Sequence, residues 1–242
     1  MKTQAEFRRR RMRGWTPDTR FGEWFQRTDV WRRYVLAVAL DELQAMQGSA
    51  PRFGRLLDAG CGAGLGFAEI TQRFEPDEIV GVDVDPQQVR RAMVTARESA
   101  IPVRLVRAEL SRMPVQSRCF DVVLCHQTLH HVTNASGVLA EFFRLLRPGG
   151  LLLLAESCRP FLESIPVRVL FRHPAQGLRK AGAHLDLLRS TGFEVLRTAT
   201  PRPFWSEPVV SLRTTLGFSR KALREPKELL VVARRPFVSP NE

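Results

Sequence analysis

The sequence predicts an α/β fold: a mostly parallel sheet with helices packed on both faces. Three observations carry this expectation. From residue 56 to 155, apolar runs of strand length alternate with segments of helix length. The first run, residues 56–59, turns through glycines at alternate positions, Gly60-Cys61-Gly62-Ala63-Gly64, and leads into a helical stretch near Phe67. The second run, residues 79–83, ends in Asp83, a carboxylate 19 residues after Gly64. Strands and helices alternating at such short spacing imply right-handed βαβ units.

Taken in order, residues 1–13 form a basic arm with little apolar content. The aromatics Phe21, Trp24, Phe25, Trp31 and Tyr34 follow, and Thr28-Asp29 is placed to cap a helix over about 30–46. This segment is expected to form a lid over the ligand edge of the sheet, with its aromatics toward substrate and Arg20, Arg27 or Arg32 as an anchor for an anionic group. Gly48-Ser49-Ala50-Pro51 is a linker. The division expected is therefore residues 1–50 as arm and lid, and residues 51–242 as the main domain.

Within that domain a helix over about 65–74 follows the glycine turn, and Glu75-Pro76-Asp77 turns into the second strand. Asp85-Pro86 supplies a side-chain acceptor and a pre-set φ for a second helix, to about Ser99. Strands are expected at 103–107 and 121–125, then a helix over 134–146 stopped by Pro148-Gly149-Gly150. Residues 151–155 are the most apolar strand, as in a sheet covered on both sides. Residues 159–182, with prolines at 160, 166 and 174, break the rhythm. A helix at 183–190, a strand at 193–200, a second irregular stretch at 201–227 and a strand at 228–233 complete the chain.

The glycine turn carries the chemistry. A strand turning on glycine into a helix leaves backbone N–H groups free at the helix start, and the missing Cβ lets a ligand approach. An acid closing the next strand accepts both hydroxyls of a ribose. The chain thus reads as a binder of a nucleoside cofactor. The spacing GxGxG, with Asp58 two residues ahead, departs from the dinucleotide fingerprint GxGxxG.

That spacing resembles motif I of the class I S-adenosylmethionine-dependent methyltransferases, of the type 11 kind. Ala108-Glu109 before Met113-Pro114, residues 120–125, and Leu145-Leu146-Arg147-Pro148-Gly149-Gly150-Leu151 resemble three further motifs of that family, in the same order. The resemblance implies a Rossmann-like sheet of seven strands, with an antiparallel C-terminal edge, and S-adenosylmethionine as cofactor. It implies that Gly60, Cys61, Gly62 and Gly64 pass the methionine and ribose portions. It also implies that Asp83 with Val84 takes the ribose, that Glu109 and Leu110 flank the adenine, and that Asp58 orients the loop or meets the methionine amino group. The family usually has Asp where this chain has Glu109.

The turn after the fourth strand, Cys125-His126-Gln127-Thr128-Leu129-His130-His131, sits at the carboxyl edge, where ligands bind in such folds. His126, His130 and His131 are the candidates for a general base, and His126 also for cofactor contact. No acid or cysteine completes a familiar metal-ligand spacing with them, so no metal is expected.

Composition frames the substrate question. The net charge is +12, and residues 1–33 hold ten Lys/Arg against four acids. Such a segment is drawn to RNA, acidic headgroups or an anionic substrate. A small-molecule acceptor with an apolar or aromatic body is the favoured expectation. An RNA methyltransferase using the basic arm, or a silent cofactor-binding scaffold, are the alternatives. No apolar run approaches the roughly 20 residues of a membrane span. The Arg-rich N-terminus lacks the apolar core of a signal peptide, and the four cysteines lack metal or disulfide spacing, so a cytoplasmic location is expected.

Overall fold

The structure, a computed structural model, describes residues 15–48, 53–201 and 225–237. The basic arm and most of the 201–227 stretch lie outside the described residues. The N-terminal layer consists of α1 (Arg20–Phe25) and α2 (Asp29–Trp31), which passes through a π-helical turn (Arg32–Leu36) into α3 (Ala37–Gln47). Then come β1 (Arg55–Ala59), α4 (Phe67–Phe74), β2 (Glu78–Asp83), α5 (Pro86–Arg97), β3 (Val103–Arg107) and β4 (Phe120–His126). These are followed by a 3-10 turn (Leu129–His131), α6 (Ala135–Leu145) and β5 (Leu146–Ser157). The last elements are α7 (Arg159–Leu162), α8 (Ile165–Leu170), a 3-10 turn (Ala175–Gly177), α9 (Ala181–Ser190), β6 (Glu194–Ala199) and β7 (Glu228–Arg234).

The seven strands form one sheet in the order β3-β2-β1-β4-β5-β7-β6. Strands β1 to β5 pair in parallel, and β7 lies antiparallel between β5 and the outermost strand β6. The sheet reverses its winding between β1 and β4, which opens a crevice beyond their carboxyl ends. β4 is buried along residues 120–125, so its run is apolar rather than alternating.

Each face carries its own core. Phe120, Leu139, Phe142 and Leu145 pack on one side. Leu40, Leu43, Leu56, Phe67 and Ile70 pack on the other. The second set explains where the N-terminal helix goes. Leu40 and Leu43, three apart on one helical face, are fully buried, so α3 is a layer of the core and only the chain before it reaches the crevice.

Local signals set most boundaries. The Thr28 side chain accepts from the Trp31 amide at 3.2 Å, and Asp85 caps α5 through Gln87 at 2.8 Å with Pro86 behind it. One expectation needs correction. Pro148-Gly149-Gly150 does not stop α6; the helix ends at Leu145, and these residues lie inside β5. Phe120 pairs with Leu146 and Val122 with Leu151, so β5 carries the extra residues as a bulge, for which Gly149 at φ 80° is suited. The Phe237 ring occupies the place of a Gly149 side chain.

Candidate active site

The crevice is built from three pieces of backbone. At the end of β1 the Gly60 and Cys61 amides both donate to the Val82 carbonyl, at 2.8 and 3.0 Å, tying the turn to β2. Asp83 then takes the Gly62 amide on one carboxylate oxygen, 2.9 Å, and the Asp85 amide on the other, 2.8 Å. The Thr95 hydroxyl donates to the Ala63 carbonyl, fixing the far side of the loop to α5.

The three motif glycines are required for different reasons. All have positive φ: 82°, 53° and 76° for Gly60, Gly62 and Gly64. A Cβ on Gly60 would strike the Thr128 side chain and one on Gly64 the Phe67 ring, each at 2.4 Å. A Cβ on Gly62 would meet nothing within 4 Å. Gly62 is thus the glycine whose empty side faces the crevice, as a loop made to lie against a ligand requires. Gly62→Val should therefore weaken cofactor binding more than tenfold, measured by calorimetry. The fold should persist with a thermal midpoint only a few degrees lower, since the left-handed backbone costs roughly 1–2 kcal/mol. Unchanged affinity would place the ligand elsewhere.

Three adjoining cavities share Gly60 and Thr128. One is lined by Asp83, Val84, Glu109, Leu110 and Ser111, with Trp15 and Val132 on its far wall. A second joins Gly62 and Asp83 to Gln127, His131, Asp18 and Gln26. The third runs under Gln26, Arg27, Trp31 and Leu36 to Asp58, Cys61, Gly62 and His126. Every expected cofactor residue except Gly64 lines one of the three, and Gly64 braces the loop against Phe67.

Burial shapes the electrostatics. Asp58 is pushed up to about 7 by desolvation and then by Asp83. Desolvation likewise pushes Asp83 up to about 6, against the pull of the Asp85 and Gly62 amides. Two carboxyls so placed lose part of their charge at neutral pH unless a cation or hydrogen-bond donors join them. Burial pushes the Cys61 and Cys125 thiols well up, so both are protonated packing groups, and all four cysteines are free.

The histidines separate into different settings. His126 faces the third of these cavities edge-on to Trp31, with ring centroids 5.6 Å apart. Its Nε2 is buried without a partner, and burial lowers its pKa to about 4. His130 lies behind the crevice, and its Nδ1 is 2.6 Å from Glu156 Oε2. Burial holds His130 down at about 3 and pushes the Glu156 carboxyl up, so both ends of this contact are held toward their neutral forms and it is a hydrogen bond rather than an ion pair. His131 lines the middle cavity with Nδ1 unpartnered.

The lid differs from its expected make-up. Of the five aromatics only Trp31 lines one of these cavities. Phe21 and Phe25 pack on Phe171, with centroids 5.6 and 6.0 Å away, while Trp24 and Tyr34 are exposed. Arg32 is engaged by Glu69 at 2.8 Å and Asp29 at 3.0 Å, and neither it nor Arg20 lines the three cavities; Arg27, paired with Glu23 at 3.6 Å, is the one on the cleft wall. Sequence reasoning missed Trp15, which bridges to Val132 while the Thr16 amide donates to the His131 carbonyl at 3.0 Å. It also missed Gln127, at φ 49°, whose Oε1 accepts from the Ser157 hydroxyl at 2.7 Å. Neither carries a periodic signal; only its place beside the strand-four turn pointed to Gln127.

Strand order, glycine turn and the acid closing β2 together give the Rossmann-like fold found in methyltransferase structures. Residues 57–154 match a family model described as a methyltransferase domain. Those residues are thus similar to methyltransferase domains. The chain is 32% identical over 145 residues to a demethylmenaquinone methyltransferase of Deinococcus radiodurans, covering 59% of this chain and 56% of that one. It is 27% identical over 141 residues to phosphoethanolamine N-methyltransferase 3 of Arabidopsis thaliana, covering 58% of this chain and 29% of that one. Its matches thus span about half or less of these relatives' length. A methyltransferase structure from Mesorhizobium loti shares the fold, with TM-score 0.59 and 21% identity over 81% of this chain and 96% of that one. Among the described residues no helix is long and apolar enough to cross a membrane.

Proposed function

We propose that the chain transfers a methyl group from S-adenosylmethionine to a small molecule with an apolar or aromatic body, and that Arg27 meets an anionic group on it. The cofactor would lie along the three cavities. Glu109 and Leu110 would flank its adenine, with Asp83 and Val84 on its ribose. Asp58, Gly60, Cys61, Gly62 and His126 would stand along the methionine portion, while Gly64 holds the loop. The bound cofactor supplies an activated methyl; the protein's part is to align the acceptor and exclude water. His126 is the base of choice among the three candidates. Its neutral Nε2 takes a proton from an acceptor that must lose one, while His130 is engaged by Glu156 and His131 stands at the ribose end.

The observation that carries this reading is the roof. Residues 15–36 cross the crevice and contribute Trp15, Trp31 and Leu36 to its walls, as a pocket for a small acceptor does and an open RNA track does not. Of the two relatives, the one named for demethylmenaquinone supports the aromatic body and the one named for phosphoethanolamine supports the anionic group. Labelled S-adenosylmethionine incubated with quinones, phosphorylated amines and structured RNA tests it. Label should enter an organic-soluble or small polar product. Label in RNA, with binding that weakens steeply as salt rises, would sink the small-molecule assignment.

A further inference from the structure

We propose that His130, His131 and His173 form a three-histidine site for a divalent transition metal of the zinc type, at the side of the crevice, with His131 as the one ligand that also lines a cavity of the cofactor site. One ring nitrogen from each lies within 4.8 Å of the others, and the ring centroids are 4.4, 5.0 and 5.2 Å apart. His130 and His131 stand on the 3-10 turn after β4, and His173 arrives from the chain between α8 and the turn at 175–177. That turn is seated hard against the first: a Cβ on Gly177 would fall 1.9 Å from the His130 carbonyl oxygen. The contact holds His173 over the pair, and only the absence of a side chain at Gly177 permits it.

Two further observations point to a ligand rather than to packing. The His131 Nδ1 is buried with no hydrogen-bond partner, an arrangement that costs free energy unless something accepts its lone pair. His130 gives Nδ1 to the buried Glu156 carboxylate at 2.6 Å, which leaves Nε2 for a ligand. A carboxylate behind a histidine fixes the ring and raises its basicity, as outer partners of metal-bound histidines do. All three rings are held neutral by burial, the form that binds metal.

Imidazole donors suit zinc, copper, nickel and cobalt rather than magnesium or calcium. Three of them leave a fourth tetrahedral position for solvent or a bound group. Nitrogens on one tetrahedral zinc stand about 3.3 Å apart, given Zn–N distances of about 2.0–2.1 Å. From within 4.8 Å the ring nitrogens therefore close by up to about 1.5 Å, a distance that side-chain rotation of the three rings supplies. A linear spacing rule cannot find such a site, because the third ligand lies in the irregular 159–182 segment.

The test uses the full chain without a histidine tag, reduced and stripped with chelator. Zinc is titrated against a competing chromophoric chelator, with magnesium and calcium as controls. One equivalent of zinc should bind, and cobalt should give the visible bands of a four-coordinate site. His173→Ala should weaken zinc at least tenfold and abolish those bands, while affinity for S-adenosylhomocysteine changes less than twofold. His131→Ala should act likewise on zinc, and if it fails to fold, His173→Ala alone decides. Sub-stoichiometric zinc in the parent chain, or equal zinc affinity in His173→Ala, overturns the site. Because S-adenosylhomocysteine is measured separately, loss of the metal site and loss of the cofactor assignment are distinguishable.

Discussion

Asp83→Ala should weaken binding of S-adenosylmethionine and of its demethylated product by about ten- to a hundredfold. The carboxylate holds the Gly62 and Asp85 amides at 2.9 and 2.8 Å, so it shapes the glycine turn, and in the function proposed above it also meets the ribose hydroxyls. Losing hydrogen bonds to a charged group costs about 1.5–3 kcal/mol, which sets the range. The same carboxyl gives the effect a pH signature. Its pKa, raised to about 6 by burial, lies within reach of ordinary buffers. Accepting two hydroxyls favours the ionised form, so affinity falls as pH drops through about 6, by about tenfold between pH 7.5 and pH 5. Asp83→Asn should lose that step and keep whatever comes from Asp58, pushed up to about 7. Calorimetry across this pH range decides. An Asp83→Ala protein that binds as tightly as the parent removes Asp83 from the cofactor site.

Glu156→Ala should cost the most stability of any single change to the site. Glu156 is 1% exposed, and its oxygens accept from the Thr128 and Leu129 amides and from His130 Nδ1. Removing it leaves three donors with no acceptor, two of them buried, on the turn that carries every candidate histidine but one. The expected loss is about 3–5 kcal/mol, and the thermal midpoint should fall by roughly 6–20 °C for a chain of this size. Glu156→Gln keeps one oxygen for the two amides but turns an NH₂ toward His130, so it should lose less. A calorimetric midpoint for Glu156→Ala within two degrees of the parent would show that water or a shifted turn replaces the carboxylate.

These outcomes bear on what was legible before any coordinates. The Asp85-Pro86 cap was readable because it is a contact between near neighbours in sequence, and the glycine turn and Asp83 because each is marked by residue type at the end of an apolar run. The βαβ rhythm fixed the direction of β1 to β5. Pro148-Gly149-Gly150 misled because proline and glycine stop helices and also make bulges; the pairing of Phe120 with Leu146, unseen in the sequence, decides between them. The aromatic run misled in a different way. Phe21 and Phe25 are claimed by Phe171, far along the chain, and hydrophobic density cannot say which surface will take it. Trp15 and His173 were silent because each gains its place only through partners distant in sequence.

The position of β7 has a consequence for how the chain is made. Among the described residues β6 pairs only with β7, and β7 fills the gap beside β5, yet β6 leaves the ribosome first. While residues 158–227 are being synthesised, the apolar edge of β5 therefore stands unpaired and β6 has no sheet to join. An uncovered edge of this kind templates wrong pairing. The last strand is thus the stitch that closes the sheet. Nascent chains stalled before residue 228 would be the form that chaperones must shield.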